Sequence, residues 1–125
     1  MANVRNFREL VAYQRARALA KAVRAHSGGY PRDERYELTS QMRPAASSVV
    51  LNIAEGFGIG TPNGTLRHLR IARGSLCEVG AALDLAADYG FVPAPNELWQ
   101  LLDETTRVLQ ALIKSMEAAR SRTAI

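Results

Sequence analysis

Apolar residues recur at steps of three and four positions along four stretches of this chain, which is the period of an α-helix. No stretch alternates apolar and polar residues in the way that a half-buried strand requires. The pattern predicts an all-α protein with helices at about residues 7–27, 34–56, 62–89 and 97–120. Because the connections are short and the seams repeat near 3.5 residues, we expect an antiparallel up-down four-helix bundle. A chain of 125 residues matches one such domain, over residues 1–125.

Residues at the ends of the first two stretches predict where those helices begin and end. Asn6 is expected to cap the first helix. The second helix is expected to begin near Glu34 or at a Thr39 cap and to stop at Gly56, followed by a flexible, glycine-rich connection.

The last two stretches also carry recognisable ends. Thr61 as cap and Pro62 at the first helical position are expected to open the third helix, which should stop at Gly90. Asn96 is expected to cap the fourth helix, whose end should fray from Arg120 onward.

The second stretch is unusually apolar. Between Leu38 and Ala54 only Arg43 is charged, so we expect this helix to be buried nearly all round. One small bundle has difficulty surrounding a helix completely, and a subunit interface would cover the rest. Polar or small side chains form a second stripe beside the apolar seam: Gln41, Pro44, Ser48, Asn52 and Glu55.

Asn52 and Glu55 stand three residues apart in this apolar helix, just before Gly56. They could form an acid–base pair, a helix-ending device or a polar fixture that holds packed helices together. The chain supplies no nucleophile, metal ligands or second carboxylate to work with them. We therefore interpret Gln41, Ser48, Asn52, Glu55 and Gly56 as a structural motif at a helix or subunit contact.

Other candidates for chemistry are weak. The glycines of Gly56–Gly60 lack the preceding strand and the spacing of a nucleotide-binding motif. His26 is expected at the frayed end of the first helix, where a cation favours the helix dipole, and His68 is most simply a surface residue. Neither has the spacing of a metal-binding helix. Cys77 is expected to be a small packing residue. We therefore expect no catalytic residues, no metal and no cofactor.

The chain also suggests a compartment. A single cysteine excludes an internal disulfide and fits a reducing cytosol. No stretch resembles a membrane span or the apolar core of a signal peptide. We expect a cytoplasmic protein without a membrane partner.

Positive charge is concentrated near the start of the chain. Residues 1–35 carry eight basic and three acidic side chains, whereas the remaining ninety carry eight and nine. Arg67, Arg70 and Arg73 form a slowly turning stripe on the third helix and could contact phosphates together with Arg43. Alternatively, they are solvated side chains that pair with acids such as Glu78. Repetition of the net charge of +4 around a symmetric oligomer would strengthen the phosphate interpretation.

Two sequence blocks carry a family resemblance, and several further positions fit it. The blocks are Asn52-Ile53-Ala54-Glu55-Gly56 and Ile71-Ala72-Arg73-Gly74-Ser75-Leu76. The further positions are Phe7, Leu10, Tyr13, Ala16, Pro31, Glu34, Leu38, Gln41, Arg43, Ser48 and Glu78. With them, essentially the whole chain resembles the bacterial four-helix-bundle proteins first noted as products of intervening sequences in 23S ribosomal RNA genes.

The resemblance implies a bundle that assembles into a ring-shaped homopentamer. It also implies relatedness to the accessory proteins of diversity-generating retroelements, which are basic pentamers that bind nucleic acid and work with a reverse transcriptase. RNA binding is the usual suggestion for the family, and no catalytic residues come with it.

Four positions depart from the pattern that the resemblance leads us to expect. Pro44 stands in place of a second arginine, Val50 in place of a common proline, Ile59 in place of an arginine, and Gly64 in place of an acid. The two missing arginines reduce the positive charge available for nucleic acid. Pro44 should also kink the second helix or mark its start.

These observations lead to one expected function and one alternative. We expect a non-enzymatic homopentamer that binds nucleic acid, RNA first, through arginines on a shared face. The alternative is a protein-interaction scaffold that docks an enzyme encoded nearby, such as a reverse transcriptase. An enzyme with a site in the interhelical core ranks behind both.

Overall fold

The structure is a computed structural model, and it describes residues 6–91 and 97–123. Its four α-helices are α1 (Val11–Ser27), α2 (Leu38–Ile59), α3 (Pro62–Asp88) and α4 (Glu97–Thr123). Two 3₁₀ helices, Phe7–Glu9 and Arg32–Tyr36, precede α1 and α2, and the described ranges contain no strand. The predicted all-α class and the four helices are therefore confirmed.

Each α-helix packs against two others, in the cyclic order α1, α2, α3, α4 and back to α1, and α2 and α3 share the most extensive contact. Contacts run in opposite sequence order along the two members of a pair. On α2 and α3, Ser48 meets Ser75 whereas Gly56 meets Thr65. On α1 and α4, Arg15 meets Glu104 whereas His26 meets Glu97.

The apolar seams meet in one core. The predicted seams of α2 and α3 are buried throughout: Leu38, Met42, Ala45, Val49, Ile53 and Gly56 on α2, and Leu66, Leu69, Ala72, Leu76, Val79, Leu83 and Ala86 on α3. Burying one such leucine stabilises a fold by roughly 1.5–3 kcal/mol, so these seams contribute strongly to the stability of the bundle. The prediction from helical periodicity is confirmed for these two helices.

The predicted end of α2 is wrong. The helix continues through Gly56 and Gly58 to Ile59, and it ends at Gly60, whose φ of 79° lies in the left-handed region. Helices commonly end at a residue in the left-handed region, which glycine adopts without steric cost. The expected glycine-rich connection is thus reduced to Gly60 and Thr61.

The predicted starts of α1 and α2 are also displaced. Asn6 caps the 3₁₀ helix Phe7–Glu9, where its Oδ1 accepts from Arg8 N at 2.9 Å, and α1 itself begins at Val11. At the start of α2, Glu34 Oε2 accepts from Leu38 N at 3.2 Å, and Thr39 lies inside the helix. Pro44 is also inside α2, so it does not mark its start.

The predicted ends of α3 are confirmed. Thr61 Oγ1 accepts from Gly64 N at 3.2 Å, and Pro62 is the first helical residue. After α3, Gly90 has a φ of 80°, and the Phe91 and Gly90 amides donate to Ala86 and Ala87 O. This pair of hydrogen bonds is a Schellman motif.

The fourth helix extends beyond its predicted end. It runs to Thr123, three residues past the position where fraying was expected. The predicted cap Asn96 lies outside the described residues.

One chain does not bury α2 on all sides, as expected of a small bundle. The seam of α2 is covered, yet Leu51 is 60% exposed and Pro44 is also exposed. None of the helices in the described ranges is long and apolar enough to cross a membrane.

Candidate functional site

A cluster of polar side chains joins α2 to α3 at the position of the Asn52–Gly56 block. Asn52 Nδ2 donates to Ser48 O at 2.9 Å and lies 3.0 Å from Ser48 Oγ. Across the contact, Asn52 Oδ1 lies 2.9 Å from His68 Nδ1, and Ser75 Oγ donates to Ser48 Oγ at 2.8 Å. The amide of Asn52 therefore connects the two helices in a half-buried setting.

The orientation of this amide assigns the proton on His68. Because Nδ2 of Asn52 faces two oxygen atoms of Ser48, its Oδ1 must face the imidazole. An amide oxygen only accepts hydrogen bonds, so Nδ1 of His68 is the donor in this contact.

The structure corrects one prediction about this cluster. The side chain of His68, expected at the surface, is only 17% exposed. That of Glu55 is 66% exposed in the single chain and lies 3.5 Å from His68 Nδ1. The imidazole, on α3, packs against Asn52 and Gly56 of α2, whereas Glu55 stands at the solvent edge of the same contact.

Gly56 is a point of close approach between the helices. Thr65 Oγ1 donates to Gly56 O at 2.7 Å, and both residues are buried. A Cβ on residue 56 would lie 3.1 Å from His68 Cβ and 3.2 Å from Thr65 O. The absence of a side chain at Gly56 thus allows α3 to approach.

Three members of this cluster, Thr65, His68 and Ser75, were missed by the sequence analysis. Thr65 and His68 follow the Thr61 cap at helical steps, and Ser75 lies in the second family block. A polar residue opposite Asn52 could have been sought on those grounds. Gln41 does not join the cluster, because it is exposed and lies seven residues, or roughly 10 Å, before Ser48 along α2.

Two of the three arginines of α3, Arg70 and Arg73, lie on the side that faces α4. Arg67, Arg70 and Arg73 each follow a buried seam residue by one position. Arg70 pairs with Glu117 of α4 at 3.0 Å. Arg67 and Arg73 are exposed, and no carboxylate of the described residues lies within 4 Å of either one.

A groove of about 390 Å³ runs beside these arginines, between α3 and α4. Its residues include Arg70, Arg73, Cys77 and Leu102, with Thr106 and Gln110 of α4. Gly74 also borders the groove, and a Cβ there would meet nothing within 4 Å. The groove therefore combines an apolar wall with cationic and hydrogen-bonding side chains; Cys77, expected to pack, is exposed.

Arg43 lies elsewhere. Its Nε donates to Ser27 Oγ at 2.7 Å, and one of its terminal nitrogens donates to Arg24 O at 3.3 Å. These bonds hold Arg43 at the carboxyl end of α1, where a cation also favours the helix dipole. The structure thus does not place Arg43 with the arginines of α3.

The polar cluster does not resemble a nucleophile with its base. The hydroxyls of Ser48 and Ser75 contact each other and Asn52, and neither hydrogen-bonds His68 among the described contacts. Within residues 6–91 and 97–123, no group of three His, Cys, Asp or Glu side chains could hold a metal ion.

Comparison with known proteins places these features in a family. A family model described as 23S rRNA-intervening sequence protein matches residues 8–114. The match spans both sequence blocks, the polar cluster and the arginines of α3. No curated protein matches the chain.

Proposed function

The chain belongs to the family of 23S rRNA-intervening sequence proteins, and on this premise we propose that it binds RNA as a non-enzymatic, ring-shaped homopentamer. Each subunit would be an antiparallel up-down four-helix bundle. The opposite sequence order of the contacts between α2 and α3, and between α1 and α4, supports this topology.

The observation that carries the RNA proposal is the pair of exposed arginines, Arg67 and Arg73. Cations bind phosphates strongly when no neighbouring carboxylate competes for them. No carboxylate of the described part of the chain lies within 4 Å of these two guanidinium groups. They are thus available for phosphates, whereas Arg70 must first release the carboxylate of Glu117.

The groove between α3 and α4 suits an unpaired nucleotide. Leu102 offers an apolar surface to a base, and Thr106 and Gln110 offer hydrogen bonds to its edge or ribose. Arg70 and Arg73 border the same groove and could contact the phosphate of that nucleotide. The groove favours single-stranded RNA over a duplex, whose bases are stacked and paired.

A second surface supports assembly. A groove of about 620 Å³ lies between α1 and α2, and its mainly apolar lining includes Ala18, Ala20, Val50 and Leu51. Leu51 is large, apolar and exposed in the single chain, as expected of a residue that a neighbouring subunit covers. Repeating a net charge of +4 on every subunit would also strengthen attraction to phosphates.

The absence of catalysis and the location are also part of this proposal. The Asn52 amide stands between His68 and the serines, which is an arrangement for holding helices together. A cytoplasmic location fits a chain whose single cysteine, Cys77, is a free thiol.

Fluorescence anisotropy with a labelled single-stranded RNA tests the RNA proposal. The affinity of the native protein should fall steeply with added salt. Replacing both Arg67 and Arg73 by glutamine should weaken binding at least ten-fold and reduce the log–log salt slope by about 1.5. Saturating RNA should also slow the alkylation of Cys77, which lines the groove.

Arg107→Gln is the matched control, because Arg107 is an exposed arginine of α4 that already pairs with Asp103 at 3.7 Å. It should bind RNA almost as the native protein does. The proposal is wrong if RNA shows no salt-sensitive binding at low ionic strength, or if the control loses as much affinity as the double variant.

The apolar groove between α1 and α2 also favours the alternative of a protein scaffold. A scaffold would dock an enzyme encoded nearby, such as a reverse transcriptase, through this groove. The complex of this chain with the docked enzyme should persist at high salt, because salt screens charges and leaves apolar contacts intact. Co-purification of the two expressed proteins at high salt, with no RNA binding by this chain alone, would favour the scaffold.

A further inference from the structure

A second group of arginines surrounds a small pocket at another place in the molecule. The pocket measures about 280 Å³ and lies where α1 ends, the 3₁₀ helix Arg32–Tyr36 follows and α2 begins. Arg32, Arg35 and Arg43 line it, together with Ser27, Tyr30 and Thr39. All of its charged lining residues are arginines.

These three arginines have no counter-charge among the described residues. No carboxylate of those residues lies within 4 Å of Arg32, Arg35 or Arg43. Glu34, on the same 3₁₀ helix, uses its carboxylate to accept from Leu38 N. Three cations around one pocket repel each other, and a bound anion would remove this repulsion.

Arg43 is positioned in advance for such an anion. Its bonds to Ser27 Oγ and Arg24 O occupy two N–H groups of a guanidinium that has five. The two bonds fix the plane of the group and leave the other donors available. A pre-organised cation loses less conformational entropy on binding than a mobile one.

Tyr30 makes a neutral wall for the pocket. Burial raises the pKa of its hydroxyl above the ordinary value of 10.0, so the group carries no negative charge at neutral pH. The hydroxyl is buried and finds no hydrogen-bond partner among the described residues. Tyr30 therefore adds no competing negative charge to the pocket.

From these observations we propose that the pocket binds a phosphate group, at a site separate from the groove between α3 and α4. Guanidinium groups match the oxygens of a phosphate, and Thr39 adds a hydroxyl. The pocket is large enough for a tetrahedral oxyanion and too small for a duplex. The phosphate can therefore come from solution or from the end of a nucleic-acid strand.

Isothermal titration calorimetry with inorganic phosphate, in a buffer free of other oxyanions, tests the site. The native chain should bind one phosphate per subunit. Arg32→Gln and Arg35→Gln should each weaken binding roughly ten-fold or more, which is the usual effect of losing one charge-assisted hydrogen bond. Both side chains are exposed, so the variants should keep the native circular dichroism spectrum.

Two RNA strands of one sequence distinguish the sources of the phosphate. If a strand with a 5′-phosphate displaces inorganic phosphate and the matching 5′-hydroxyl strand does not, the site holds a strand end. If neither strand displaces it, the site holds free phosphate.

Arg107→Gln serves again as the control and should bind phosphate normally. The proposal is overturned if the native chain binds no phosphate, or if Arg35→Gln binds it as tightly as the native chain. Neither result depends on Arg67 or Arg73, so failure of this site and failure of the RNA proposal are separable.

Discussion

Asn52 shows how one polar residue is accommodated in an otherwise apolar helix. Its amide satisfies Ser48 on its own helix and His68 on the next, so both ends of the side chain have partners. A polar group in such a setting adds little net stability when it is satisfied, but removing it leaves its partners unpaired. Glu55, exposed at the edge, has solvent as its alternative partner.

Replacing these two residues should therefore have unequal effects. Asn52→Leu should lower the free energy of unfolding by about 2 kcal/mol, because Ser48 and His68 lose a hydrogen-bond partner in a half-buried place. Glu55→Ala should change it by less than about 0.5 kcal/mol, because the side chain is 66% exposed. Urea denaturation followed by circular dichroism measures both values. Equal losses for the two variants would contradict this account.

At the residue scale, the sequence identified Asn52 but not its partner. A polar residue in an apolar stretch can be recognised from the sequence of a single helix. Its pairing with His68 depends on how far α3 is shifted along α2, and that shift results from side-chain packing across the contact. The exposure of Glu55 likewise depends on how far α3 is shifted along α2.

At the element scale, two glycines of α2 have opposite roles. Gly60 ends the helix because its backbone is left-handed, and Gly56 lies inside the helix where α3 approaches. A glycine at a helical step of an apolar seam fits either role. The sequence alone therefore could not distinguish them, whereas Thr61 followed by Pro62 has one meaning and was assigned correctly.

Replacing Gly56 by alanine should show whether the steric cost of a new Cβ exceeds the gain in helix propensity. Gly56→Ala should destabilise the fold by roughly 1–3 kcal/mol, because the new Cβ would force α3 away from contacts of 3.1 and 3.2 Å. Gly74→Ala is the matched control on α3, where a Cβ meets nothing within 4 Å. It should stabilise the fold by about 0.5–1 kcal/mol. Thermal unfolding of both variants checks the prediction, and a stabilised Gly56→Ala would refute it.

Two departures from the family pattern are linked at the connection between α2 and α3. A Cβ on residue 64 would collide with the side chain of Ile59 and lie 2.9 Å from Thr61 Oγ1. Ile59, in place of an arginine, therefore occupies space that Gly64, in place of an acid, leaves open. An apolar contact over a glycine stands where the resemblance led us to expect two charged residues.

At the scale of the whole molecule, the four arginines that the sequence analysis grouped together lie at separate places. Arg70 and Arg73 border the groove against α4, Arg67 is exposed on α3, and Arg43 belongs to the pocket at the end of α1. We grouped these four residues from the sequence because residue type and spacing are visible there. The helix that each side chain faces is not visible in the sequence. Only the packing of the helices separates them.

The exposed face of α2 leads to a prediction about mass in solution. If neighbouring subunits cover Leu51, Leu51→Arg should reduce the oligomer to a monomer of 13.7 kDa. Leu85→Arg is the control, because Leu85 is 41% exposed on α3, away from the groove between α1 and α2. It should keep the native mass. Light scattering coupled to size-exclusion chromatography measures both, and a native protein that is itself a monomer would exclude the pentamer.

The two-residue connection at Gly60 and Thr61 has a consequence for how the chain folds. The helices with the most extensive contact, α2 and α3, are also consecutive, so their pairing closes only a short loop and loses little chain entropy. The contacts of α1 with α4 instead join distant parts of the chain. Local pairings form faster than distant ones. The α2–α3 hairpin is therefore expected to be an early folding nucleus, onto which α1 and α4 dock last.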